Sequence, residues 1–174
     1  LGRQEQDPQN SQDTELVFLA LLLLRADAHV GAEFDDEERR NFFLAAGKYF
    51  QASWDELEGI QYTGLPWDEI PVVLHVSQHS GVSPEEVTAL RWAGLSWHDI
   101  MSGFSLHPES VYVPIESPGE DPPSRPNRYQ GPTVLEAWDS RTSSDEDIIN
   151  LVNLKFISGY YGVRPEKVIA LHAS

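Results

Sequence analysis

Apolar residues along this chain recur mostly every three or four positions, the spacing of amphipathic helices. Val87, Leu90 and Ala93, with Trp92 beside them, follow it. So do Phe42, Phe43, Ala46, Tyr49 and Phe50, and later Ile148, Ile149, Val152, Leu154 and Ile157. Polar punctuation marks the ends. Ser83 can cap a helix, Pro84 suits its first position, Glu86 can return the capping bond, and Gly94 can turn left-handed to stop it. Ser96 then caps the next helix, with Asp99 in the box position. The pattern predicts helices from Asp13 or Thr14 to about His29, from Asp35 through Phe50, and over Ser53–Thr63, Trp67–Ser80, Ser83–Ala93 and Trp97–Phe104. Two more follow, from Ser143 or Ser144 to Tyr161 and over Pro165–Ala173.

Three of these segments share a register. Ser53-Trp54-Asp55-Glu56 matches Ser83-Pro84-Glu85-Glu86, and Gly64-Leu65-Pro66-Trp67 matches Gly94-Leu95-Ser96-Trp97. Tyr62 stands where Trp92 stands. Gly162-Val163-Arg164-Pro165-Glu166-Lys167-Val168 matches Gly81-Val82-Ser83-Pro84-Glu85-Glu86-Val87. The expected fold is therefore all-α, a helical repeat bundle of alternating long and short helices. The expected organisation is a polar tail at 1–12, a helical repeat domain at 13–104, a Pro-rich loop or linker at 105–143, and a C-terminal helical half-repeat at 144–174 that packs on the same domain. Within the loop, Ser110–Ile115 reads as a short extended segment, and Val134–Trp138 as a helical turn or an anchor for Trp138.

Composition narrows the function classes. The net charge of −16 over 174 residues opposes binding to nucleic-acid phosphates and to anionic membranes, and suits a basic partner. There is no cysteine, so disulfides, thiol catalysis and cysteine metal sites are excluded. The apolar run Leu16–Leu24 is too short to span a bilayer and reads as a buried helix. Leu1 in place of an initiator methionine, with the lack of cysteine, suggests an exported or periplasmic protein, with a cytoplasmic one as the alternative.

The candidate chemistry is sparse. His75 and His79 sit one turn apart, as in some zinc sites, but no catalytic glutamate lies between them. Their counterparts in the other units are Ala45 and Phe156, and Tyr49 and Tyr160, so the pair reads first as core or groove wall and second as a metal site. Asp35–Glu38 lacks the alternating oxygens and glycine of a calcium loop. No Gly-x-Ser-x-Gly elbow or glycine-rich phosphate loop is present. The aromatic set Tyr62, Trp67, Trp92 and Trp97, extended by Tyr160 and Tyr161, reads either as packing between units or as the lining of a groove for a peptide or glycan.

Two family resemblances attach to these residues. The segments Ile70–Trp92 and Ile148–His172, each a long helix, a Gly-Val turn and a short helix, resemble a helix-turn-helix. That resemblance implies DNA contacts at the first residues of the second helix. Here those residues are Glu85-Glu86 and Glu166-Lys167, so the expectation is a helix-turn-helix-like fold used away from DNA. Leu22–Glu58 resembles the tellurite-resistance TerB helical family through Arg25-Ala26-Asp27, Val30 and Glu37-Glu38-Arg39, although Ala28 replaces the family's glycine. It implies a helical, metal-linked stress protein. The expectation from all of this is a non-enzymatic adaptor or scaffold that binds a protein or peptide and needs no cofactor. A metal-linked stress protein or carboxylate enzyme, and a helix-turn-helix regulator, are the alternatives.

Overall fold

The computed structural model describes residues 36–111, 113 and 144–173. They form α1 (Asp36–Phe50), α2 (Trp54–Tyr62), α3 (Ile70–Ser80), α4 (Pro84–Trp92), α5 (Trp97–Gly103), α6 (Asp145–Tyr161) and α7 (Pro165–Ala173). Single 3-10 turns stand at Trp67–Glu69 and Pro108–Ser110. Among the described residues there is no strand. The expected first helix with Leu16–Leu24, the polar tail, most of the Pro-rich loop, the Val134–Trp138 anchor and the start of the TerB-like segment lie outside the described residues.

The termini follow from the sequence. Ser53, Ser83, Ser96 and Ser144 each sit in extended conformation, and each side chain accepts the backbone N–H three residues on. At Ser53 and Ser144 the bond is reciprocated by Glu56 and Asp147. Glu86 does not return the bond expected of it, so the cap at Ser83 is one-way and the Glu86 carboxylate stays exposed. Gly81 and Gly162 end α3 and α6 at φ 75° and φ 62°, a region costly to a side-chain-bearing residue.

The helix expected from Trp67 begins irregularly. Pro71 has no N–H to bond back to Trp67, so Ile70 reaches the Trp67 carbonyl instead and the first turn tightens to 3-10. The segment expected to extend from Ser110 starts differently too. Ser110 closes a 3-10 turn, and Val111 and Val113 bury their side chains in the core.

At the centre, α3 packs on α6, flanked by α1, α4 and α5. The core holds Phe42, Phe43, Leu57, Ile70, Val72, Val87, Trp97, Ile100, Val152, Phe156 and Val168, each at most about 1% exposed. Fully burying one such side chain contributes roughly 1.5–3 kcal/mol, so this cluster dominates the stability. Gly159 on α6 lets α1 approach closely: a Cβ there would stand 2.6 Å from the Tyr49 ring. No helix among the described residues is long and apolar enough to cross a membrane.

Candidate functional site

Two short helices, α2 and α4, pack side by side, and the seam between them opens at the surface into an apolar depression of about 180 Å³. Glu85, Thr88, Ala89 and Trp92 line it from α4, Gly59 and Ile60 from α2, and Thr63 from just past the end of α2. The α4 residues are spaced by three, one and three, a stripe down one face and roughly 10 Å long at 1.5 Å per residue. Trp92 closes one end with 59% of its surface exposed, and Glu85 stands at the other. Tyr62, the residue before the lining Thr63, is 81% exposed. Contiguous apolar surface, more than a single exposed ring, marks an interaction site, and the Trp92 ring continues the apolar lining.

The rim is acidic. The helices α2 and α4 carry five acidic residues, Asp55, Glu56, Glu58, Glu85 and Glu86, against one base, Arg91. Hydrogen bonds from the Ser53 backbone and hydroxyl hold the Glu56 carboxyl below its ordinary pKa. Glu58 pairs with Arg39 of α1 at 3.0 Å. The one base turns inward. Arg91 forks onto Glu69 at 2.7 and 3.2 Å, and reaches Asp145 at 2.6 Å and the Leu95 carbonyl at 3.1 Å. Burial by itself would lower the pKa of Arg91, but the hydrogen bonds and charges of Glu69 and Asp145 outweigh it and raise the value.

This arrangement moves one expected groove residue into the core. Trp97 is fully buried. Its indole N–H donates to Glu69 at 2.9 Å, its backbone N–H donates to Asp145 at 2.7 Å, and Arg91 stacks over its ring at 5.2 Å. It cannot line an open groove. Trp67 is half-buried, edge-on to Phe42 at 5.3 Å and tilted against Phe43 at 5.9 Å. Tyr160 and Tyr161 meet edge-on at 4.8 Å near the end of α6, with Lys48 5.7 Å from the Tyr160 ring. Of the six aromatics, the structure brings only Trp92 into the lining, with Tyr62 flanking it.

His75 and His79 pack against each other, their ring centres 4.1 Å apart. His75 is buried; its Nε2 lies 3.3 Å from the Ser110 hydroxyl, and the His79 Nδ1 lies 2.8 Å from the His75 carbonyl. Lys155 donates to the Ser110 carbonyl alongside. Burial first, then His79 and Lys155, push the His75 pKa down to about 3. An ammonium group close enough to disfavour a proton on this imidazole also disfavours a metal dication. Among the described residues no three His, Asp or Glu side chains converge as a metal would require.

Two features escaped sequence reasoning. The Arg91–Glu69–Asp145 junction joins residues 22 and 54 apart, and no periodicity links them. Asp68, in the 3-10 turn before α3, is half-buried beside Glu69; burial and then that charge raise its pKa to about 6. The sequence matches no known family model, no characterised protein and no solved structure.

Proposed function

We propose that this chain is a non-enzymatic adaptor or scaffold that docks a protein or peptide on the face shared by α2 and α4. The observation that carries the reading is the apolar depression with Trp92 exposed at its end and Tyr62 beside it. Its volume falls below the roughly 300–1,000 Å³ typical of small-molecule sites, but it suits side chains inserted from a larger partner. An exposed tryptophan at the end of an apolar seam is the kind of residue that dominates binding energy at interfaces.

The reading includes a repeat. Tyr62 and Trp92 end their helices thirty positions apart, both strongly exposed, while Leu57, Val87 and Val168 occupy equivalent buried positions. Ala45, His75 and Phe156 do the same on the long helices. These agreements support stacked long–short units whose short helices present one face. The turn from α3 into α4 serves that face and not DNA, because Glu85 and Glu86 are exposed where phosphates would lie.

The test is selection of a random peptide library on the whole chain. Selected peptides are expected to lose about tenfold or more in affinity to Trp92→Ala, and less to Tyr62→Ala, with urea midpoints unchanged. Selected peptides indifferent to both substitutions would reject this face.

A further inference from the structure

We infer that the occupant of the α2–α4 depression is a basic amphipathic helix, seated with aliphatic side chains in the seam and lysines or arginines on the acidic rim. The inference rests on the docking reading above and names the partner's chemistry.

Charge carries it. The sole base on the two helices, Arg91, is held by Glu69 and Asp145, and Arg39 of α1, which reaches the rim, is paired with Glu58, so among the described residues the cations at this face are already taken up by carboxylates. Glu85 stands in the lining itself, and Asp55, Glu85 and Glu86 have no ion-pair partner among the described residues. Acidic first turns are common because they complement the helix dipole, but that role does not require the bases on and beside these helices to be tied up in ion pairs. At the far end the Trp92 ring favours a cation over its face, so both ends of the stripe select positive charge. Between them Ile60, Thr88 and Ala89 offer only apolar or internally bonded surface; the Thr88 hydroxyl is already donated to the Pro84 carbonyl at 2.7 Å. The seam between two neighbouring helices, two turns long, is a groove for a third helix anchored at i, i+3 or i+4, and i+7. A second copy of this chain is disfavoured as occupant, because its own docking face is acidic and the net charge is −16.

The test uses the full chain and three synthetic helices of about 18 residues, long enough to hold helical structure. They share leucines at i, i+3, i+4 and i+7 and differ in their flanks, which are lysine, glutamine or glutamate. Affinity is read by tryptophan fluorescence or calorimetry. The lysine peptide is expected to bind about tenfold or more tightly than the glutamine peptide, and the glutamate peptide weakest. Its advantage should shrink as ionic strength rises from about 0.05 M to about 0.5 M. Glu85→Lys with Glu86→Lys should remove the lysine preference, and Trp92→Ala should weaken all three peptides. Equal binding of the three with Trp92 dependence would overturn the basic occupant and leave the docking face standing. Binding by none would overturn it too, and the library selection then decides the docking face separately. Self-association abolished by Trp92→Ala in sedimentation would replace it with a second copy.

Discussion

At the scale of single residues, Arg91 shows how a charge is kept inside a helical protein. Glu69 is nearly buried, and an unpaired buried carboxylate costs several kcal/mol. Here it accepts two bonds from the Arg91 fork and one from the Trp97 indole, which offset that cost. Arg91→Met is expected to destabilise by about 3 kcal/mol in urea unfolding, because Glu69 loses its cation. Arg91→Lys should lose less, since the charge survives without the fork. Combining Arg91→Met with Glu69→Gln should recover part of the loss, and strict additivity in that cycle would refute the pairing. None of this was legible in the sequence. The network links α4, the turn before α3, the start of α5 and the start of α6, and only the packing of those elements brings the four together.

At the scale of elements, most of the helices were legible because their ends are written in local chemistry. A serine with an acid three residues on, and a glycine at the stop, act over one turn and need no tertiary context. What failed was finer. Pro71 converted one helical turn to 3-10, and Ser110 entered a turn where an extended segment was expected. The aromatics failed for a different reason: Trp67, Trp92 and Trp97 look alike in sequence, but only the packing around each decides whether it faces core or solvent. The cap geometry makes its own prediction. Ser53 is held reciprocally by Glu56, and Ser83 is not held by Glu86. Ser53→Ala and Ser83→Ala should each cost about 1 kcal/mol, with Ser53→Ala the larger. Glu56→Ala should destabilise measurably while Glu86→Ala should not, as read by thermal unfolding. Equal losses at the two glutamates would mean that Glu86 serves the helix, leaving less reason to assign it to a partner.

At the scale of the whole molecule, two groups set opposing pH dependences. His75 has its pKa pushed from 6.5 to about 3 on folding. It stays neutral in the native state while the unfolded chain takes up a proton below about 6.5. The stability it contributes is therefore complete above pH 6.5 and is lost as pH falls toward 3. Asp68 runs the other way. Its pKa rises from 3.8 to about 6, so its stabilising contribution is complete below about pH 4 and is lost as pH rises through 6. The two nearly cancel between about pH 4 and 6, and the wider shift at His75 shows as a net loss of stability outside that window, near pH 6.5 and below 4. Asp68→Asn should stabilise the protein at pH 7 by on the order of 2 kcal/mol, and should steepen the loss of stability on acidification. His75→Gln should remove most of that loss and let stability hold or rise from pH 6 to 4. Comparing each variant with the parent at every pH cancels the remaining carboxylates, which are common to all three proteins. Parallel curves for the parent and His75→Gln would mean that the imidazole already takes up a proton in the folded state.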